Sequence, residues 1–215
     1  MLLLDPANPA AVAAEVFANV WRTSLDQPGF ALIRFARPVT SQELRRCMFA
    51  LVAAFPVKLV VERLGRFDQQ VSSKFHRDGA PPASFLLLGY EASSVPSRIF
   101  IADSSRAAAE AEMPVPEFVA KFNPMFLAGE AKYLPFMTEL EVPQGESYLV
   151  AINNSLLPNV AGLENPLGVL HKAIIEVPDA TAHRVINSAG FTHPGTANTK
   201  TAAEIERFLT RDDLD

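Results

Sequence analysis

The 215 residues of this chain include one cysteine, Cys47, which excludes an internal disulfide framework and a thiolate zinc site and points to a reducing compartment. Basic runs are equally scarce. The longest is Arg45-Arg46 and the formal net charge is −5, so nucleic acid is a poor candidate partner. No apolar run approaches the length that crosses a bilayer, and the opening Met1-Leu2-Leu3-Leu4 has no basic flank and is cut short by Asp5 and Pro6. The expectation is a soluble cytoplasmic protein acting on a small molecule, with no nucleic acid and no membrane, its oligomeric state left open. No Gly-x-Ser-x-Gly elbow is present, and Cys47 has no apparent catalytic partner. His76-Arg77-Asp78 spells the start of a kinase catalytic loop, but position 83 is alanine where that loop needs asparagine. A Gly-rich phosphate loop and an Asp-Phe-Gly are missing too.

Hydrophobic residues make up 49% of the chain and charged ones only 20%, a balance that supports a packed core and excludes extended disorder. Residues 9–25 place Val12, Val16 and Val20 beside Phe17 and Trp21 at helical spacing. Residues 30–35 then read as a buried strand. Thr40 and Glu43 form a capping box that opens a second helix, with Leu44, Met48, Leu51, Val52 and Phe55 inward, Cys47 as a small buried hydrophobe, and a stop before Pro56.

From position 57 the texture changes to short apolar runs between turn residues: 57–62, 67–75, 84–91, 98–103, 133–142, 147–155, 167–177 and 184–192. That is enough for a jelly roll. A helical interruption spans 105–126, where Phe118, Phe122 and Phe126 recur at helical spacing and read as core. Loops at 156–166 and 193–200 are expected to be flexible, and Thr201 with Glu204 caps a last helix with Ile205, Phe208 and Leu209 facing in. The fold class is α+β, mainly β with flanking helices: one domain, 1–215, with an N-terminal support region (1–56), a jelly-roll core (57–192) and a C-terminal helix (200–215).

The chemistry concentrates at His76-Arg77-Asp78-Gly79. On a strand, His76 and Asp78 share a face and Arg77 points away. An imidazole with a carboxylate suits Fe(II), Mn(II) or Zn(II), but two ligands make a weak site. The third must come from His171, His183 or His193, and only His171 lies inside an apolar run. His183 precedes Arg184, so an inward Arg184 turns it outward. His76, Asp78 and His171 then form a two-histidine, one-carboxylate facial set, which leaves coordination positions open.

Phe75-His76-Arg77-Asp78-Gly79, Gly145-Glu146, Asn153-Asn154, Gly168-Val169-Leu170-His171-Lys172-Ala173, and Arg184 with Ser188 occur in an order that resembles the Fe(II)- and 2-oxoglutarate-dependent dioxygenase superfamily. The resemblance implies a double-stranded β-helix. It implies Fe(II) at His76, Asp78 and His171, and 2-oxoglutarate as cosubstrate with its far carboxylate on Arg184. A planar guanidinium suits that group because it donates two parallel hydrogen bonds. Ser188, four residues on, would add a hydroxyl. The implied activity is oxidation, typically hydroxylation, of an organic substrate with release of succinate and carbon dioxide.

A second register places the distal histidine slot near Asn159 and the arginine slot on Lys172, at the loss of a ligand. Two other readings keep the barrel: a ligand-binding or sensory module without turnover, and a cupin-like metalloenzyme that uses no oxo-acid. Lys74, Tyr90 and Arg98 are within the runs that could reach a substrate, and nothing in the sequence selects among them.

Overall fold

The central strands of this chain are apolar on both faces, so one face of the larger sheet packs on a second sheet and the other on helices. The computed structural model describes residues 1–79, 81–156, 159–160, 163–164, 167–195 and 199–215, with 159–160 and 163–164 described by backbone alone. Eleven strands occur among them, numbered in chain order. The larger sheet contains β1 (Leu2–Leu4), β2 (Phe30–Phe35), β3 (Val60–Asp68), β4 (Ser84–Tyr90), β7 (Tyr148–Asn153) and β11 (Val185–Thr192), in the order β1-β2-β7-β4-β11-β3. The smaller contains β5 (Ser97–Ala102), β6 (Met137–Leu140) and β10 (Leu170–Ile175), in the order β10-β5-β6. β8 (Asn159–Val160) and β9 (Leu163–Glu164) form a separate ribbon inside the expected loop 156–166; the rest of that loop, and 196–198 of the other, lie outside the described residues.

Between the sheets, Leu86, Leu88, Tyr90, Val150, Ile152 and Ile186 of the larger one meet Ile99, Ile101 and Leu140 of the smaller. The intervening residues of the same strands, among them Phe85, Leu87, Leu149, Ala151, Ala189 and Phe191, point the other way. There they pack on α1 (Ala13–Val20) and α2 (Ser41–Ala53), with α6 (Ala202–Thr210) beside α2. The outer face of the smaller sheet is covered by α3 (Ser104–Glu110) and α4 (Val115–Lys121), through Phe100, Ala102, Ala107 and Phe118. A short α5 (Leu127–Glu130) follows. The result is an α+β arrangement with two sheets at its centre. Among the described residues no helix is long and apolar enough to cross a membrane.

Several expectations are redrawn. The runs 57–62 and 67–75 are joined by one strand, β3, which starts at Val60 and ends at Asp68, because Gly65 is an edge-strand residue paired with Ser188 and not a turn; 69–75 is not strand. The first helix ends at Val20, before 25, and follows a 3₁₀ turn at Pro9–Val12. The segment 133–142 is strand only at Met137–Leu140. The interruption at 105–126 is broken into short helices, and its phenylalanines divide: Phe118 is buried, whereas Phe126 is 68% exposed. Met1-Leu2-Leu3-Leu4 contributes β1, which pairs parallel with β2. The Thr201–Glu204 box forms in full. At Thr40 only half does, since the Glu43 carboxylate turns to Arg37 at 2.5 Å.

Candidate metal centre

His171 sits on β10 opposite Ile101, so the pleat sends its ring into the space between the sheets. The chain reaches β10 through a crossing that only glycine permits: a Cβ on Gly168 would meet the Ser155 carbonyl oxygen at 1.7 Å. The Ser104 and Ser105 hydroxyls, at 3.2 and 2.8 Å, donate to the Gly168 carbonyl, and the Val169 amide donates to Asn153 O. His171 therefore starts from a fixed point.

His76 reaches it from the other side. After β3 ends at Asp68, the chain runs irregularly along β10. There the Ser73 amide donates to Ala173 O, and the Ser72 and Ser73 hydroxyls accept from the Ile175 and Ala173 amides at 2.9 Å. His76 and His171 then exchange both backbone hydrogen bonds at 3.0 Å, an isolated antiparallel bridge that places their ring centroids 4.2 Å apart. Asp78 lies beyond the bridge in a loop. Its carbonyl accepts from Asn154 Nδ2 at 3.1 Å, and Arg77 spans Pro81 O and Asn154 O. His76 and Asp78 thus converge through a loop anchored on Asn154 and not, as alternation suggested, through consecutive positions on a strand.

The donor atoms of His76, Asp78 and His171 all lie within 4.8 Å of one another, and among the described residues this is the one such group of three. The His76 Nδ1–H donates to Lys74 O at 2.7 Å, which leaves Nε2 on the side of Asp78 Oδ1, 3.4 Å away. Fixing one ring nitrogen on a carbonyl sets the tautomer that presents the other. Burial, and then the neighbouring His76, push the His171 pKa down to about 4, so its imidazole is neutral at pH 7. Burial pulls against the charged form of His76, but hydrogen bonds to Asp78 and Lys74 outweigh it and raise its pKa. Burial likewise works against the Asp78 carboxylate, yet the His76 bond and the fields of His171 and Arg63 hold its pKa below the ordinary value. The centre thus combines an anion with a neutral imidazole, as a divalent cation requires.

Around these residues is a cavity of about 110 Å³, lined also by Phe67, Gln69, Leu88, Tyr90 and Ile186. Gln69 and Tyr90 connect it to Arg184. That residue immediately precedes β11, is 2% exposed, and donates from Nε to Ser97 Oγ at 2.9 Å and from Nη1 to Gln69 Oε1. Its guanidinium carbon lies 4.9 Å from the centre of the Tyr90 ring, which stacks on Tyr148 at 4.7 Å. Burial raises the pKa of both phenols, keeping them neutral. Arg184 Nη2, Ser188 Oγ and His171 Nδ1 are buried and have no hydrogen-bond partner among the described residues.

His183 points outward, its side chain 69% exposed and bonded to Asp68 Oδ2 at 2.7 Å, and His193 lies past the end of β11. Lys172, the arginine slot of the second register, points to the outer face, where it pairs with Glu130 at 2.6 Å. The side chain of Asn159 lies outside the described residues. Arg98 pairs with Glu139 on the surface. Cys47 is buried, with its thiol pushed up to about 11. Gln69, Ser97 and Tyr148 were not singled out from the sequence. The usable signal was parity: Tyr148, Val150 and Ile152 share one face of β7, and a tyrosine there faces the inter-sheet space.

Neither a family model nor a curated protein matches this sequence. Among solved structures, the chain is similar to a taurine dioxygenase from Burkholderia xenovorans at 12% identity, covering 94% of this chain and 90% of that one, with a TM-score of 0.49. At that score the likeness is one of outline, and no chemistry is transferred from it.

Proposed function

We propose that this chain is a non-haem Fe(II) oxygenase with 2-oxoglutarate as cosubstrate, folded as one domain on a double-stranded β-helix. The observation that carries the reading is the meeting of His76, Asp78 and His171 from two distant segments at a cavity whose wall residues Gln69 and Tyr90 touch a buried, incompletely paired Arg184. The connections support the barrel. From β3 the chain crosses to the His76 bridge beside β10, back to β4, over to β5 and β6, back to β7, over to β10 and back to β11.

The residues fit the group. Metal bonds of ~2.1 Å set mutually cis donor atoms about 3 Å apart, so the widest of these separations, within 4.8 Å as it stands, must close by roughly 2 Å as the side chains turn onto the ion. An unpaired buried nitrogen on His171 and another on Arg184 are costs unless a ligand meets them. When bound, iron with 2-oxoglutarate would supply the coupled oxidation, by dioxygen, of the oxo-acid to succinate and carbon dioxide and of a substrate C–H bond, one oxygen atom going to each.

The protein's part is positioning and exclusion. His76, Asp78 and His171 would hold the cation at the wall of the cavity. Ser97 and Gln69 fix the Arg184 plane, Tyr90 lies against its face, and Nη2 remains to donate to a carboxylate, with Ser188 offering a hydroxyl from the same face of β11. Leu88, Ile186 and Ile101 keep the surroundings apolar, which strengthens these charge-assisted bonds.

Anaerobic addition of Fe(II) and then 2-oxoglutarate should give a visible charge-transfer band and tighten metal binding. Absence of both refutes the proposal. One observation favours a cupin-like metalloenzyme as second reading: Arg184 is already engaged by Ser97 and Gln69. Turnover unaffected by Arg184→Ala would select it.

A further inference from the structure

The organic substrate of the proposed reaction must be recognised by something besides iron and 2-oxoglutarate, and the charges around the cavity narrow the choice. Lys172 and Lys74 face Glu130 at 2.6 and 3.9 Å. Arg77 is spent on Pro81 O and Asn154 O, and Arg184, held by Ser97 and Gln69, is taken by the cosubstrate in the reading above. Arg63 differs. It is exposed, and its guanidinium makes no hydrogen bond or ion pair with any described residue.

Its direction is set by a bulge. Phe191 pairs with Val61 and Gly190 with Arg63, so Glu62 is an extra residue on β3. Val61 and Leu64 therefore both pack toward the helices, and Arg63 takes the opposite face, shared with Gly65 and Phe67; Phe67 lines the metal cavity. Glycine at 190 leaves room for it, since a Cβ there would lie 3.2 Å from Arg63 Cβ. The positive charge of Arg63 is felt at both Asp78 and His76.

We infer that Arg63 is the specificity-determining residue of this site and that the substrate is an organic acid whose carboxylate, sulfonate or phosphate group it takes. The inference rests on the proposed metal and cosubstrate reading and adds the substrate class. A guanidinium on the same face of β3 as the cavity residue Phe67 selects such groups by bidentate hydrogen bonding and repels cationic molecules.

The test uses the whole chain loaded with Mn(II), which accepts the same nitrogen and oxygen donors, and saturating 2-oxoglutarate. Butanoate, butanesulfonate and butyl phosphate are the probes, with butanamide as the neutral match, and their binding is read from paramagnetic broadening of their proton signals. At least one acid should bind, roughly tenfold more weakly to Arg63→Gln and less weakened by Arg63→Lys, while butanamide responds equally to all three proteins. Binding of the acids that is absent, or unaffected by Arg63→Gln while Mn(II) and 2-oxoglutarate remain bound, overturns this inference alone. Failure of the unaltered protein to bind Mn(II) or 2-oxoglutarate overturns the functional reading and this inference with it.

Discussion

Asn187 and Ser188 are neighbours on β11, both buried, and they face opposite ways. Asn187 turns to the helices, accepts from Arg45 at 3.2 Å and donates to Gly89 O and Glu91 at 3.3 and 2.9 Å. Ser188 turns between the sheets, and its hydroxyl has no partner among the described residues. The contrast is sharpest near the site; farther along the sheet Asn153, opposite Phe85 on the helix side, also leaves its Nδ2 unpaired among the described residues. On the helix side, Arg45 is fully buried yet bonds Ser41, Asn187, Arg211 O and Asp212, with only Nε unpaired. On the other side, His171, Arg184 and Ser188 each leave a polar atom unmet. A buried unsatisfied group costs about 1–3 kcal/mol, so three of them forgo a sizeable part of a net stability of roughly 5–15 kcal/mol. One face is built for stability, and the other keeps its hydrogen-bonding capacity for something that enters.

The strongest way to break that comparison is to remove a ligand. His171→Ala should weaken Fe(II) or Co(II) binding by more than the roughly 10–100-fold that losing an outer-shell partner costs, measured by anaerobic calorimetric titration. Arg184→Gln comes next. It should weaken 2-oxoglutarate by about 2 kcal/mol or more, some thirtyfold or more, with metal affinity in the absence of the oxo-acid unchanged.

A matched pair on β11 sharpens the contrast. Asn187→Ala should lower unfolding free energy in urea by about 1–3 kcal/mol, because it orphans partners on the helix side, whereas Ser188→Ala should change it by less than about 1 kcal/mol. Ser188→Ala should instead weaken 2-oxoglutarate. Equal stability losses in the two variants would erase the distinction between the faces.

Acid supplies the mildest perturbation. Lys200 and the Thr201 cap lower the Glu204 pKa to about 2, and hydrogen bonding to Arg45 lowers that of Asp212. A depressed carboxylate stabilises the fold fully above its ordinary value and loses that contribution as pH falls through its folded one. Attachment of α6 and the tail should therefore loosen below about pH 4.5 and be largely lost near pH 2, seen as faster amide hydrogen exchange in Ala202–Thr210.

Much of this was legible in the sequence because local chemistry decided it. The strand at 30–35, the cap at Thr201 and most of the later strands were marked by apolar runs between turn residues. What failed depended on distant partners. Three residues of β1 are a strand only because β2 lies beside them, and Gly65 reads as a break until Ser188 is placed opposite. The metal-ligand candidates were readable from residue type and order, while the geometry that unites His76 with Asp78 was not. It depends on Asn154, far along the chain. Gln69 and Ser97 escaped for the same reason, since a polar residue near a strand end shows its purpose only beside the arginine it orients.

The reciprocal backbone bridge between His76 and His171 has a kinetic corollary. Contacts so remote in sequence are costly in loop closure and form late, after local turns and hairpins. During synthesis His76 and Asp78 emerge well before His171, and a two-donor fragment on a mobile segment grips a cation poorly. In the proposed reading, tight capture would then await docking of β10 against the segment that precedes β4. A redox-active ion would thus be admitted only once the surrounding walls are in place to contain what it does.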